Sequence, residues 1–330
     1  MLFPDPPLRH RVHTFARTEV DLSQRILTMA VINRTPDSFY DAGATFALDD
    51  ALRAARDAES DGADWLDVGG VPFAPGDELD PRHEADRVVP LIRALREDPD
   101  STTILSADTF QPHVAEAALA AGADVVNDTS GLFYDDLARV TAAADAHLVV
   151  THSLAHVHGP RTVVPAPHYG DVVAEVREHL CRTVDKALAL GVAEEKIIVD
   201  PGHDLNKTTV HSLELTRRLD EIAALGFPVL AAVSNKDFVG ESLDLPKSRR
   251  LAGSLAAAAA CVAGGARILR MHNVAPSVQT ARMLECIAGW RAPALAVHNT
   301  GQRNVDPDRS PVGDDPDWTD PSQPVRRERS

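Results

Sequence analysis

Polar or charged side chains end the apolar, strand-like runs of this chain, and the pattern repeats about eight times. In chain order these side chains are Asn33, Asp67, Asp108, Asn127, His152, Asp200, Ser234 with Lys236, and Arg270 with His272. Burying such a group costs roughly 2–7 kcal/mol unless it is hydrogen-bonded. A repeated series therefore predicts that the groups converge on one polar mouth, where the carboxyl ends of parallel strands meet.

One subset of these groups could bind a flat heterocycle. Asp108, Asn127 and Asp200 offer acceptors for amino and ring N–H groups, and Lys236 can donate to a ring carbonyl or nitrogen. The alternative is a salt-bridge network that only fills the interior. From the residues alone, both interpretations stay open.

A second subset suits a diphosphate. Arg270 and His272 follow the last strand-like run, which in barrel enzymes is a customary anion site. Asn33 could contact a phosphate or a hydrated magnesium ion, which prefers oxygen ligands. Spacing alone favours the simpler role for Asn33, which is to close a turn.

The histidines at positions 152, 156 and 158 could suggest a metal site. No carboxylate or cysteine stands at a matching spacing, so solvent-exposed histidines are the favoured interpretation. The three cysteines lie far apart in helix-like segments and are expected to be buried apolar residues.

Strand and helix signals alternate from residue 26 onward, and these elements must position the polar groups. The predicted strands are 27–33, 64–68, 102–107, 124–127, 147–152, 196–200, 228–233 and 267–270. The predicted helices are 48–61, 81–97, 112–121, 134–144, 170–190, 210–224, 247–263 and 276–288. Short, continuously apolar strands are typical of a parallel sheet covered on both faces. The order predicts an α/β fold, a single-domain (β/α)8 TIM barrel.

Length and composition set the domain organisation. A barrel of roughly 250 residues plus extensions fits the chain of 330 residues without a second domain. We expect a polar N-terminal lead-in over 1–25, the barrel over 26–290 and a tail over 291–330. The segment 299–330 is rich in Asp, Pro, Arg and Ser, which predicts disorder.

Net charge and hydropathy exclude two classes of function. A net charge of −16 argues against a nucleic-acid surface. No apolar run approaches the roughly 18 residues of a membrane span. The first residues lack the apolar core of a secretory signal, so we expect a cytoplasmic protein.

Seven ordered motifs resemble those of the dihydropteroate synthase family of the folate pathway. The resemblance covers residues 27–289. The motifs are NRTPDSF, DWLDVGG, SADTFQP, VVNDTSG, VDPGHDLNK, VSNKDFVGE and RILRMHNV.

The resemblance implies a condensation at the mouth. 6-Hydroxymethyl-7,8-dihydropterin diphosphate loses diphosphate while the amine of p-aminobenzoate attacks its exocyclic carbon, with Mg²⁺ as cofactor. Carried over from the family, the catalytic residues are Lys236, Arg270 and His272. The pterin would contact Asp67, Asp108, Asn127, Asp200 and Lys236, and the diphosphate Asn33, Arg270 and His272. Asn33 would also contact the metal, Ser234 would approach the p-aminobenzoate carboxylate, and the family expectation for assembly is a homodimer.

Three loops depart from the family pattern. The usual Glu-Ser-Thr-Arg-Pro-Gly loop reads Val-Pro-Phe-Ala-Pro-Gly at 71–76, and Phe-Gly-Phe-Gly-Lys reads His-Asp-Leu-Asn-Lys at 203–207. Ser-Arg-Lys-Ser reads Ser-Asn-Lys-Asp at 234–237. Two arginines are lost and two aspartates gained, so an acidic second substrate should bind worse. Asp204 is expected to place a carboxylate in the pterin space, where a glycine would let backbone approach.

Three functional interpretations follow. The chain resembles a diverged second copy of the synthase with weak or lost parent activity. The alternatives are a non-catalytic pterin- or sulfonamide-binding homologue, or an enzyme that transfers the pterin to a different, non-acidic acceptor.

Overall fold

The computed structural model describes Phe3 and residues 5–34, 48–71 and 79–298. The strands are β1 (Val12–Phe15), β2 (Thr18–Asp21), β3 (Leu27–Asn33), β4 (Trp65–Gly69), β5 (Ile104–Asp108), β6 (Val125–Asp128), β7 (His147–Thr151), β8 (Ile197–Asp200), β9 (Leu230–Ala231) and β10 (Ile268–Met271). The helices are α1 (Leu48–Ser60), α2 (Pro81–Arg96), α3 (Pro112–Ala120), α4 (Asp135–Ala143), α5 (Ala155–His158), α6 (Val172–Ala189), α7 (Thr209–Arg217), α8 (Leu219–Ala223), α9 (Asp237–Leu243), α10 (Leu251–Ala263) and α11 (Val274–Ala288). The predicted disordered segment 299–330 lies outside the described residues, as does most of the loop at 71–76.

Eight parallel strands form the barrel and confirm the predicted fold class. Their order is β8-β7-β6-β5-β4-β3-β10-β9. The two ends of this series meet through a parallel bridge between Val199 and Val229 and a bond of 2.9 Å from Val199 N to Pro228 O. The carboxyl ends of all eight strands therefore face one mouth.

Side-chain alternation along each strand directs the polar groups inward. On β4, Trp65 belongs to the interior cluster, whereas Leu66 and Val68 pack against the helices. Asp67 lies between those two and shares the orientation of Trp65, because successive strand residues point to opposite faces. The same alternation places Arg270 on the interior side, two residues after Ile268.

A β-hairpin closes the opposite end of the barrel, a feature that the predicted polar lead-in did not contain. Strands β1 and β2 pair antiparallel. Phe15 on this hairpin is buried, stacks on His147 with ring centroids 4.3 Å apart, and lies 5.9 Å from the Trp65 ring. His147 and Trp65 are the first residues of their strands, so the hairpin covers the amino ends of the barrel strands.

Three elements differ from their predicted bounds. The helix predicted over 210–224 is two helices, α7 and α8, separated at Arg218, whose backbone (φ −113°, ψ 30°) leaves the helical region. Helix α9 lies in a segment that was predicted as a loop, and the strand predicted over 228–233 is only the two-residue β9. No helix in the described part of the chain has both the length and the apolar character needed to cross a bilayer.

The hairpin end carries two buried histidines that should make folding sensitive to acid. Burial lowers the pKa of His13, and it lowers the pKa of His147 to about 3. The unfolded chain binds these protons near pH 6.5. The stability they contribute is therefore complete above that pH and is lost as the pH falls towards 3.

Between pH 7.5 and pH 5, the unfolding free energy of the wild type should fall by about 2 kcal/mol more than that of His147→Leu, which lacks the titrating imidazole. Urea unfolding at both pH values measures this difference against the wild type. His83→Leu, at an exposed position on α2, is the matched control and should keep the wild-type difference. An equal loss in both variants would contradict the assignment to His147.

Candidate functional site

Arg270 joins the two inward carboxylates of β4 and β5. Its Nε donates to Asp67 Oδ2 over 2.7 Å, and its Nη2 donates to Asp108 Oδ2 over 2.7 Å. Asn127 Nδ2 also donates to Asp67 Oδ2, over 3.1 Å. Four of the predicted site residues thus form one connected group from four strands.

A hydrogen-bond relay from the barrel interior fixes Asp67. Trp65 Nε1 donates to Ser106 Oγ over 2.8 Å, and Ser106 donates in turn to Asp67 Oδ1. Asp67 is fully buried with both oxygens bonded, as a buried carboxylate requires. Ser106 is not among the predicted site residues, although it stands two residues before Asp108 and therefore on the same strand face.

The charges of this group depend on one another. Burial raises the pKa of Asp108 to about 7, and Asp67 acts in the same direction while Arg270 opposes both. Burial works against the charge of Arg270, but Asp67 and Asp108 together raise its pKa. Arg270 is therefore a fixed cation, and Asp108 is a carboxyl that can change protonation near neutral pH.

Asn33 lies beside this group. It pairs in register with Gly69, and a Cβ placed on Gly69 would lie 3.0 Å from Asn33 Oδ1 and 3.8 Å from Asp108 Oδ2. Gly69 thus leaves space for the Asn33 amide next to Asp108. This placement brings the predicted diphosphate and metal ligand to the carboxylate group.

Ser234 and His272 connect the ends of the last two barrel strands. The backbone N–H of His272 donates to Ser234 Oγ over 3.1 Å. Burial, followed by the charges of Arg270 and Lys236, lowers the pKa of His272 to about 3. The imidazole is therefore neutral at pH 7 and adds hydrogen-bonding capacity, but no charge, beside Arg270.

The lysine side of the mouth contains a contact that the sequence analysis did not anticipate. Lys207 Nζ contacts His152 Nδ1 at 2.8 Å and donates to Gly202 O at 2.9 Å and Leu205 O at 3.1 Å. Burial lowers the pKa of Lys207 to about 7, although Asp200 acts to raise it. The interpretation of His152 as solvent-exposed is wrong, because its side chain is buried against this lysine.

Glu84 is a further buried titratable group near the mouth. It lies in the first turn of α2, and burial raises its pKa to about 7, opposed by a hydrogen bond with Thr109. No sequence pattern marks Glu84 as functional, because a glutamate in a first helical turn is ordinary.

The altered loop at 203–207 keeps a backbone that glycines commonly adopt. Asp204 and Asn206 have φ angles of 64° and 49°, and Asp and Asn tolerate this left-handed region better than other side chains. Asn206 Oδ1 accepts from Val164 N over 2.8 Å, and its backbone oxygen accepts from Tyr169 Oη over 3.0 Å. Asn206 therefore fastens the long connection after β7 to the loop after β8.

The Asp204 carboxylate, expected from the sequence to lie in the pterin space, bonds to Ser212 and to the first amides of α9. Aspartate in place of the family's glycine therefore adds hydrogen bonds that connect the loop after β8 to the start of α9. Of the altered loop at 71–76, only Val71 falls within the described residues.

A magnesium ion fits this donor set only together with a ligand. Within the described ranges, no group of three or more His, Cys, Asp or Glu side chains could hold a metal. Asn33 Oδ1 and Asp108 Oδ2 both lie within 4 Å of the position that a Cβ on Gly69 would take. Mg²⁺ commonly uses one or two protein oxygens and completes its shell with water and substrate phosphates.

Comparison with known proteins places this geometry in context. Residues 29–272 match the family model described as pterin binding enzyme. A Mycobacterium tuberculosis (strain H37Rv) protein named inactive dihydropteroate synthase 2 is 44% identical over 83% of this chain and 86% of its own. Dihydropteroate synthase from Synechocystis sp. is 37% identical over 88% of this chain and 96% of its own.

A solved structure agrees with these relatives. The Xanthomonas albilineans dihydropteroate synthase with 4-aminobenzoic acid superimposes with a TM-score of 0.76 at 32% identity. The match covers 84% of this chain and 98% of that one. The sequence likeness is thus higher to the mycobacterial protein named inactive than to either of these two synthases.

Proposed function

The chain belongs to the pterin-binding enzymes of the dihydropteroate synthase family, and we propose that it is a diverged copy that binds the pterin diphosphate and has weak or no synthase activity. The observation that carries the proposal is the group formed by Arg270, Asp67, Asp108 and Asn127. A set of buried acceptors around one fixed cation suits a heterocycle bearing amino and ring N–H groups next to an anionic tail.

In the pterin half of the site, each polar strand end has a proposed role. The ring edge donates hydrogen bonds to the carboxylates of Asp108 and Asp200, and it exchanges hydrogen bonds with the Asn127 amide. Asp67 lies beneath these groups. Lys236 donates to a ring acceptor. Burial raises the pKa of Asp200, while a hydrogen bond from Gly202 N and the charge of Lys236 act to lower it.

The diphosphate half is Arg270, His272 and Asn33. Arg270 balances anionic oxygens, and the neutral His272 imidazole donates one hydrogen bond. Magnesium, held by Asn33 and the diphosphate oxygens, would supply further neutralisation of the leaving group. In the parent reaction, the exocyclic C–O bond breaks and diphosphate leaves with the electron pair. The amine nitrogen forms the new C–N bond and releases one proton to solvent.

The second-substrate side explains why we assign weak activity. The loop at 234–237 contains no arginine. Arg250, from outside the loop, donates from Nη1 to Asn235 O over 3.0 Å and to Asp237 Oδ1 over 2.9 Å. Ser234 accepts a bond from His272 N. A substrate carboxylate would therefore meet fewer free cationic donors, in agreement with relatives named as inactive.

We expect the synthase rate to be at least about 10³-fold below that of the Synechocystis enzyme, because each loss of about 1.4 kcal/mol of transition-state stabilisation slows the reaction about tenfold. Steady-state assay with pterin diphosphate, p-aminobenzoate and Mg²⁺, run in parallel on both proteins, measures this. A rate within tenfold of the control would contradict the divergence.

Calorimetry with the pterin diphosphate separates the remaining interpretations. Binding without turnover supports the proposed role, including its non-catalytic form. Binding with turnover of an amine that lacks a carboxylate, such as aniline, would favour transfer to a non-acidic acceptor. Absence of binding, with and without Mg²⁺, would reject the proposal.

The location and assembly expected from the sequence remain part of the proposal. We propose a cytoplasmic homodimer whose ligand is a small pterin and which has no nucleic-acid partner. Sedimentation of the full chain tests the dimer.

A further inference from the structure

Helix α9 begins without a cap of its own. The residue before it, Lys236, makes no side-chain bond to the first helical amides. Asp204, from the loop after β8, provides these bonds, because its Oδ2 accepts from Asp237 N over 2.6 Å and from Phe238 N over 3.3 Å. A negatively charged carboxylate at this end also interacts favourably with the positive end of the helix dipole.

The Asp204 carboxylate is held in place from its other side. Ser212 Oγ donates to Asp204 Oδ1 over 3.0 Å and accepts from Asp204 N over 3.1 Å. Ser212 is fully buried in α7. Asp204 therefore links helix α7, its own loop and the start of α9.

Lys236 directly precedes α9 and is surrounded by several charged groups. Burial lowers the pKa of Lys236, and the carboxylate of Asp204 is the strongest influence that raises it again, ahead of Asp200. The charged and titratable groups around Lys236 are Asp200, Asp204, Asp237, Arg270, Lys207, His203 and His272. Asp204 is the member of this set that also bonds to the backbone directly after Lys236.

We propose that Asp204 is a positioning residue of the pterin site, which fixes the start of α9 and so sets the position and the electrostatic environment of Lys236. The proposal rests on the proposed function for the identity of the ligand. It gives a role to a residue that replaces a glycine of the family pattern. Asp204 acts through Lys236 and touches no ligand itself.

Two substitutions separate the cap from the charge. Asp204→Asn keeps an acceptor for the α9 amides and tolerates the left-handed backbone, but removes the charge. Asp204→Gly keeps the backbone and removes both. Asp244→Asn is the matched control, because Asp244 is exposed, has a φ of 52° and ends the same helix.

Three measurements on the full-length protein test the proposal. The first is the pH dependence of Lys236 acetylation by acetic anhydride, read by mass spectrometry. The second is hydrogen exchange of the Asp237 and Phe238 amides. The third is calorimetric affinity for the pterin diphosphate.

We expect Asp204→Asn to move the acetylation midpoint of Lys236 down by about one pH unit and to leave amide exchange near wild type. Asp204→Gly should show the same shift, amide exchange faster by about fivefold, and affinity weaker by about tenfold. Asp244→Asn should change none of the three.

An unchanged Lys236 midpoint in both Asp204 variants would overturn the proposal, leaving Asp204 as a cap only. Unchanged exchange in Asp204→Gly would overturn the cap. The first two measurements need no ligand. A wild-type protein that fails to bind the pterin diphosphate would thus reject the proposed function, while acetylation and exchange still decide the role of Asp204.

Discussion

Replacing Arg270 with methionine should abolish binding of the pterin diphosphate and destabilise the barrel by about 3–5 kcal/mol. Arg270 bonds to both Asp67 and Asp108, and Asp67 is fully buried. Without the guanidinium, two inward carboxylates would face each other with their main cationic partner removed. Breaking a buried ion pair costs more than replacing the whole pair, because the remaining charge stays desolvated.

The pH dependence of the Arg270 variant should identify the cause of its instability. The pKa of Asp108 is raised to about 7 by burial and by Asp67, with the opposing effect of Arg270 already included. Removal of Arg270 raises that pKa further, so the folded variant takes up a proton more readily than the wild type. The deficit in unfolding free energy should therefore shrink as the pH falls from 8 to 6.

Urea unfolding at both pH values measures the deficit, and calorimetry measures the loss of affinity. Arg139→Met is the matched control, because Arg139 pairs with Asp136 over 2.8 Å on an exposed helix face. That variant should stay within about 0.5 kcal/mol of wild type. A deficit for Arg270→Met that is independent of pH would mean that lost packing, and not the carboxylate pair, is responsible.

The barrel and the central polar group could be predicted because both follow from local rules. A strand buried on two faces is continuously apolar, so each polar residue at its end stands out. Strand alternation then decides which way that residue points. Asp67, Asp108, Asn127 and Arg270 satisfy both rules, and the structure brings them into contact.

The features that were missed depend on contacts between distant parts of the chain. Strands β1 and β2 are four residues each, and Phe15 on β1 is buried by its packing against Trp65 of β4 and His147 of β7, which no local sequence pattern predicts. Asp204 bonds to residues 33 and 34 positions away. Lys207 contacts a histidine 55 positions away. The motif comparison shows that Asp204 replaces a glycine, but not that Asp204 gains bonding partners in α7 and α9.

Replacing Gly202 with alanine should destabilise the protein by about 2–4 kcal/mol and weaken pterin diphosphate binding. Gly202 has a φ of 69°, and a Cβ there would lie 2.1 Å from the backbone oxygen of His152. Backbone cannot rotate away as a flexible side chain can, so the loop after β8 must shift. That loop holds Asp200 through Gly202 N at 2.7 Å and Lys207 through Gly202 O at 2.9 Å.

Gly289→Ala separates the clash from the backbone strain. Gly289 has a similar φ of 76°, but nothing lies within 4 Å of the position of its Cβ. This variant should lose only the roughly 1–2 kcal/mol of the left-handed conformation and should bind the ligand as wild type does. Urea unfolding and calorimetry on both variants give the comparison. Equal losses of stability would mean that the approach of Gly202 to His152 contributes nothing, and that the loop after β8 is free to move without disturbing the pterin half of the site.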